Sequence, residues 1–117
     1  MQFLINIYHR IFYGNAVFGA LSVPRSSHWK KVRDEHIKNN PTCYACGRSE
    51  YLIVHHIVPF HLNPELELDP NNLLTLCQGK HINCHITFGH NYNWTKTNLN
   101  VKQDAESFRK ITEKWHI

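Results

Sequence analysis

Four cysteines constrain the fold of this 117-residue chain more than any other feature. Cys43 and Cys46 have the C-x2-C spacing of a turn that directs two thiolates at one tetrahedral Zn²⁺. Cys77 and Cys84 form a second pair with six intervening residues, a wide spacing that indicates a small insertion in this half of a zinc knuckle. Two disulfides or four unrelated thiols are the alternatives. The C-x2-C spacing and the lack of a recognisable secretory signal favour zinc.

Seven of the ten histidines can be interpreted from their immediate sequence surroundings. His55-His56 follows an apolar run at 51–54 that predicts a strand. Because neighbouring strand residues point to opposite faces, one imidazole of this pair could bind a metal while the other faces a substrate phosphate. A buried structural pair is the alternative. Isolated histidines are usually surface or core residues with a satisfied hydrogen bond, which is the interpretation for His9, His28, His36, His61 and His116.

Helices are predicted on both sides of two strands. Ser27 is the expected N-cap of a helix that runs to about Lys38 and stops at residues 39–41 (NNP). Strands are expected near 51–57 and 73–76, joined by an acidic loop that contains proline, and a short helix begins near Cys84. A last helix carries an apolar stripe that predicts a core contact or a homodimer contact; its members are Val101, Ala105, Phe108, Ile111 and Trp115.

Residues 1–24 form an apolar, aromatic N-terminal arm, and residues 25–117 form the remaining domain. Arg10 and the Gly14-Asn15 break interrupt the arm, whereas a transmembrane helix needs about 20 cleaner apolar residues. The first charge of the chain is Arg10, unlike the basic start of a signal peptide. We therefore predict a packing arm or an oligomer contact, without stable membrane insertion.

The charge distribution permits nucleic-acid binding without establishing it. Thirteen Lys and Arg against nine Asp and Glu give a net charge of +4 and a pI near 9.0. Lys30, Lys31 and Arg33 lie in a basic stretch, while no Lys or Arg occurs between Arg48 and Lys80. The basic stretch could contact phosphates or form a solvated helix face. The use of cysteine is typical of a reducing cytoplasm.

The order of these elements resembles the HNH endonuclease family. The resemblance covers about residues 27–95 and rests on C-x2-C at 43–46, VHHIVP at 54–59, NLLTLC at 72–77 and Cys84-His85. Within this family, the chain resembles phage-encoded members. The resemblance implies an α+β fold with a small ββα-metal (His-Me finger) core, in which two strands and a loop precede a helix carrying the last metal ligand. A four-cysteine zinc knuckle (Cys43, Cys46, Cys77 and Cys84) and flanking helices complete it.

The family also implies roles for particular residues. His56 takes the place of the general base that activates water, His55 that of a ligand of the catalytic cation, and Asn72 that of the residue bracing the loop and orienting the base. A phosphodiester hydrolase needs a general base whose pKa is near neutral pH, and a cation that stabilises the negative charge developing on the phosphate.

The final histidine of the motif has two alignments. Without a gap His81 takes this position, but Lys80 then replaces a zinc cysteine. With a three-residue insertion, Cys84 takes the place of the last zinc cysteine and His85 that of the final histidine, so all four zinc ligands are present. We prefer this alignment. His85 is then both a catalytic residue and a cation ligand, and His90 is the further ligand, with His81 as its alternative.

The resemblance implies a metal-dependent HNH endonuclease that nicks or cuts DNA. Its cofactors would be a structural Zn²⁺ and a catalytic Mg²⁺, Mn²⁺ or Ni²⁺. Its partners would be double-stranded DNA and phage packaging or replication proteins, in the cytoplasm of a bacterial or phage-infected cell. One alternative is a catalytically inactive zinc-knuckle module that binds nucleic acid; another is a structural zinc protein of phage assembly. The presence of His55, His56, Asn72 and His85 argues against the inactive module.

Overall fold

Two antiparallel strands flanked by helices make up the computed structural model, which describes residues 23–114. The predicted arm, apart from residues 23 and 24, and Trp115 lie outside these described residues. No helix within 23–114 is long and apolar enough to cross a membrane. The elements in chain order are α1 (Trp29–Asn39), β1 (Leu52–His56), two 3₁₀ turns (Pro64–Leu66 and Pro70–Asn72), β2 (Leu73–Cys77), a π-helix (His85–Gly89) and α2 (Val101–Lys114). The predicted α+β class is confirmed.

The strands form a short antiparallel pair that orients both motif histidines. Leu52 lies opposite Cys77 and His56 lies opposite Leu73. The strand begins at Leu52, one residue later than predicted, because Tyr51 has a positive φ of 58°. A two-stranded pair is marginal in water, so its stability depends on the helices and the cysteine cluster around it.

The helix α1 packs against both strands. Its N-cap is His28, whose side chain makes no capping hydrogen bond, so the predicted cap at Ser27 is wrong. The Ser26 hydroxyl instead accepts a hydrogen bond from the His28 amide at 3.0 Å. The helix ends as predicted, because the Asn40 amide donates to the carbonyls of His36 and Ile37 and closes the last turn.

The apolar stripe of α2 divides into a buried and an exposed part. Val101 and Ala105 are fully buried and belong to the same core cluster as Leu74 and Leu76 of β2. Phe108 lies at the edge, with its ring 5.2 Å from that of Phe88 just before the end of the π-helix, and Ile111 is 58% exposed. The first half of the stripe therefore forms the core contact, and it attaches α2 to the segment that carries the candidate site.

Candidate active site and metal centres

The four cysteines converge on one point. Their sulfur atoms all lie within 4.8 Å of one another, and all four thiols are free. The Cys46 and Cys77 sulfurs are 3.7 Å apart. A tetrahedral Zn²⁺ with Zn–S bonds of about 2.3 Å separates its sulfurs by about 3.8 Å, whereas a disulfide needs about 2.0 Å. The cluster could thus bind a metal ion such as zinc, and it is consistent with the predicted knuckle.

Local backbone geometry builds the first half of this knuckle. Gly47 has a φ of 81°, a conformation that favours glycine, and its amide donates to the Cys43 carbonyl at 2.9 Å. The Cys46 amide points at the Cys43 sulfur at 3.5 Å. The Tyr44 amide donates to the Thr75 carbonyl at 2.8 Å, which attaches the knuckle to the free edge of β2.

The protonation of the thiols also favours a bound cation. A hydrogen bond from Cys84 lowers the pKa of the Cys43 thiol to about 4. Burial, with the Cys43 thiolate adding to it, raises the pKa of Cys46 to about 11, and the hydrogen bond to Cys43 raises the pKa of Cys84. Thiolates this close repel one another, so a divalent cation is the natural counter-charge for a fully deprotonated set.

Three histidines form a second group of potential metal ligands. His55 lies in β1, His85 begins the π-helix and His90 follows it, and one ring nitrogen of each lies within 4.8 Å of the others. His85 Nε2 is 3.0 Å from His55 Nδ1 and 3.3 Å from His90 Nε2. Neighbouring ligands of an ion with metal–nitrogen bonds of about 2.1 Å are about 3.0–3.4 Å apart, so this nitrogen set fits a divalent ion.

Hydrogen bonds outside this group fix which nitrogens face inward. His85 Nδ1 donates to the Gln78 side-chain oxygen at 2.7 Å, and His90 Nδ1 donates to the Lys96 carbonyl at 2.8 Å. Each bond leaves the Nε2 lone pair free for a metal, as in many histidine metal sites. Burial, followed by the neighbouring imidazoles, lowers the pKa of His55 to about 3 and that of His85 to about 4. Both rings are therefore neutral at physiological pH, the form that binds metals.

The π-helix explains how His85 and His90 reach the same ion. In an α-helix, residues five apart lie about 140° from each other around the axis. The wider π-helical turn brings them towards one face. Gly89 makes the close approach sterically feasible, because a Cβ there would lie 3.0 Å from His55 Cε1 and 3.1 Å from His85 Cδ2.

His56 projects from the opposite side of β1. Its Nε2 donates to the Glu67 carbonyl at 2.9 Å, and its ring lies 4.5 Å from that of Trp29 on α1. This hydrogen bond places the proton on Nε2 and leaves Nδ1 with a free lone pair. Burial removes water from the His56 ring, which lowers its pKa and favours the neutral form. The residue therefore has the tautomer and charge that a general base requires.

Asn72 holds together the two ends of the loop between the strands. Its side-chain oxygen accepts from the Val58 amide at 2.8 Å, and its Nδ2 donates to the carbonyls of Val58 and Leu66 at 3.0 and 3.1 Å. Its own carbonyl accepts from the Ile57 amide at 2.9 Å. Since Asn72 is only 5% exposed, these bonds fix the loop that carries the Glu67 carbonyl beneath His56.

Glu67 and Arg25 are parts of this arrangement that the sequence did not single out. The Glu67 side chain is 5% exposed and accepts from Arg25 Nε at 2.8 Å and from the Ser26 amide at 3.0 Å. The Arg25 guanidinium also lies 4.3 Å above the Phe60 ring. Arg25 lines a cleft of about 330 Å³ together with His55 and the other histidines of the site. Arg25 and Glu67 are 42 residues apart in the sequence, so no local sequence pattern predicts this ion pair.

The remaining predicted residues lie apart from the histidine cluster. His81 is exposed and is not a member of it. Lys30 and Arg33 both pair with Asp34, at 2.7 and 3.4 Å, while Lys31 is exposed and makes no ion pair within residues 23–114. Two of the three cations predicted to contact nucleic acid are thus partly neutralised by a neighbour on the same helix.

Trp94 is a further residue near the histidines that sequence reasoning missed. Its ring lies 5.1 Å from that of His85 and 5.0 Å from that of His90, and the residue is 50% exposed. An isolated Trp in a polar segment offers no spacing pattern that would have placed it there.

One comparison with known proteins is informative. Residues 43–90 match the family model described as HNH endonuclease. The matched interval begins at the first knuckle cysteine and ends at His90, so it includes both clusters and both strands. No curated protein and no solved structure matches the chain.

Proposed function

Residues 43–90 match the family model described as HNH endonuclease, and from this match we propose that the protein hydrolyses DNA phosphodiester bonds, by nicking or by cutting both strands. The observation that carries the proposal is the position of His56. Although it projects from the other face of β1, His56 also lines the cleft that His55, His85 and His90 line, and its Nε2 hydrogen bond leaves Nδ1 free to act as a base. We assign residues 25–117 to the nuclease domain, because Arg25 and α1 contact this cleft and its loop.

Two metal ions complete the proposed enzyme. The four-cysteine cluster would hold a structural Zn²⁺, and His55, His85 and His90 would hold a catalytic Mg²⁺, Mn²⁺ or Ni²⁺. When bound, the catalytic cation stabilises negative charge on the phosphate and on the leaving 3′ oxygen.

The proposed chemistry uses His56 as the general base. His56 Nδ1 takes a proton from a water molecule, the water oxygen forms a bond to phosphorus, and the P–O3′ bond breaks; the 3′ oxygen leaves with the bonding electron pair and takes a proton from solvent. The ring gains its proton while Nε2 keeps its hydrogen bond to the Glu67 carbonyl, so this carbonyl also stabilises the imidazolium. Asn72 contributes by holding the loop in place.

Arg25 would bind a substrate phosphate at the rim of the cleft. Its side chain is 52% exposed although it pairs with the buried Glu67, so part of the guanidinium remains available. Arginine presents several donors in a planar arrangement that suits phosphate oxygens. Its ion pair fixes the residue next to the base.

The proposed partners follow from the domain and from the resemblance. Double-stranded DNA is the substrate, and the net charge of +4 is compatible with it. Phage packaging or replication proteins and a second copy of the chain are further proposed partners, in the cytoplasm of a bacterial or phage-infected cell.

A plasmid-nicking assay tests the proposal. We expect wild-type protein to convert supercoiled plasmid to open-circular or linear DNA when Mg²⁺, Mn²⁺ or Ni²⁺ is added. His55→Ala and His85→Ala should lose activity at low Mn²⁺ and regain part of it at high Mn²⁺, because they weaken cation binding. His81→Ala, which changes an exposed histidine outside the cluster, is the matched control. DNA binding without cleavage under every cation would instead indicate the inactive zinc-knuckle module.

A further inference from the structure

A second cleft of about 450 Å³ lies on the other edge of the sheet, between the C-terminal end of α1, β2, Tyr44 and α2. It shares no lining residue with the histidine cleft. We infer that this second cleft binds a backbone phosphate of the nucleic acid, away from the bond that is cleaved. The inference rests on the proposed function for its ligand class, and it adds a contact that the family motif does not include.

The cations of this cleft are free to receive an anion. Lys102 and Arg109 are seven residues apart on α2 and therefore lie on the same helix face. Neither makes an ion pair within the described part of the chain. Arg109 Cζ lies 4.6 Å and Lys102 Nζ 5.9 Å from the centroid of the Tyr44 ring, so both charges lie beside the same aromatic ring. An anion between them would relieve their mutual repulsion.

The cleft also contains buried polar atoms without partners. Thr75 is only 2% exposed, and its hydroxyl makes no hydrogen bond within residues 23–114. His36 Nε2, which belongs to another residue lining the cleft, is likewise buried and unpartnered. A buried polar group without a partner costs about 1–3 kcal/mol, so two such atoms on residues of a cleft that two cations also line indicate a ligand oxygen.

The set of lining residues selects the chemical class of that ligand. Among the residues of the described range 23–114, no Asp or Glu lines the cleft, whereas Lys, Arg, Thr and His donors all do. A phosphate presents several acceptor oxygens and negative charge to such a set. The ring of Tyr44 supports a nucleic-acid source, because basic side chains interleaved with an aromatic face are typical of proteins that follow a nucleic-acid backbone.

The test measures DNA affinity at several salt concentrations, using full-length protein that carries His56→Ala to prevent cleavage. Each phosphate contact contributes about 0.9 to the slope of log K against log salt. The double variant Lys102→Gln/Arg109→Gln removes both charges of the cleft. It should lower this slope by about 1 and weaken DNA binding about eightfold at 0.1 M salt. Lys110→Gln is the matched control, since Lys110 is adjacent on α2, pairs with Glu106 at 3.8 Å and does not line the cleft.

Thr75→Val separates ligand binding from folding. It preserves the side-chain shape and removes a hydroxyl that has no hydrogen-bond partner among the described residues, so we expect an unchanged or higher melting temperature together with weaker DNA binding. The inference is overturned if Thr75→Val and the double variant bind DNA with the affinity and salt slope of the Lys110→Gln protein. It is equally overturned if the variants lose affinity for an acidic peptide and none for DNA.

This outcome is independent of hydrolysis. If wild-type protein fails to nick plasmid with any cation but the cleft variants still lose DNA affinity, the second phosphate site stands and the proposed hydrolysis fails. If wild-type protein nicks plasmid but the cleft variants bind DNA normally, the proposed hydrolysis stands and the second phosphate site fails.

Discussion

Replacing Asn72 with alanine should destabilise the protein because one side chain serves three backbone groups. The change removes the bonds to the Val58 amide and to the carbonyls of Val58 and Leu66, at 2.8, 3.0 and 3.1 Å. With about 1 kcal/mol for each hydrogen bond, the expected loss of unfolding free energy is about 3 kcal/mol. For a domain of this size, that loss lowers the melting temperature by about 15 °C.

Thermal unfolding of zinc-loaded protein, followed by circular dichroism, measures this loss. Asn71→Ala is a close control: Asn71 is the exposed neighbour in the same 3₁₀ turn, and its side chain makes no hydrogen bond within the described residues. The control should stay within about 0.5 kcal/mol of wild type. Below its melting temperature, Asn72→Ala should also cleave DNA more slowly, since the loop positions the Glu67 carbonyl under His56. Identical unfolding of the two variants would refute the assigned role of Asn72.

Three other perturbations have defined expectations. Chelation of zinc, or Cys43→Ser, should unfold the domain, because the cysteine cluster joins the turn at residues 43–46 to the end of β2. Folded protein purified without bound zinc would contradict this expectation. Gly89→Ala should weaken Mn²⁺ binding about tenfold to a hundredfold by calorimetry, since the added Cβ meets the His55 and His85 rings, and unchanged affinity would show that these rings can move apart. Lys31→Gln should reduce DNA affinity more than Lys30→Gln, because Asp34 already neutralises Lys30; equal losses would contradict this ranking.

The parts of the structure that depend on local pattern could be predicted from the sequence. The strands agree with the predicted ranges to within one residue, because apolar residues bounded by turn residues identify a strand. The end of α1 followed from the Asn-Asn-Pro stretch. The C-x2-C spacing indicated a metal-type turn, and the four sulfurs do converge.

The parts that depend on three-dimensional context could not. Helical periodicity places His85 and His90 on different faces, and only a π-helix brings their Nε2 atoms to 3.3 Å. The Arg25–Glu67 pair joins segments far apart in the chain, so no spacing rule applies to it. A count of basic residues drew attention to α1, although Asp34 pairs with two of its cations.

The same limit applies to α2. Lys102 and Arg109 have no distinctive spacing in a helix that also carries acidic residues, and their common contact with Tyr44 depends on how α2 packs against the knuckle. Composition therefore gives the net charge of the chain. The ion pairs of the folded protein decide which of its cations remain available to a ligand.

The most direct test of the central claim is the plasmid-nicking rate of His56→Ala. The proposed role of His56 is to take a proton from water, so the His56→Ala variant should retain its zinc and its DNA affinity while its cleavage rate falls by about 10²–10⁴. His81→Ala, assayed in parallel, should cleave at the wild-type rate. A His56→Ala protein that cleaves DNA as fast as wild type would contradict the assignment of His56 as the general base.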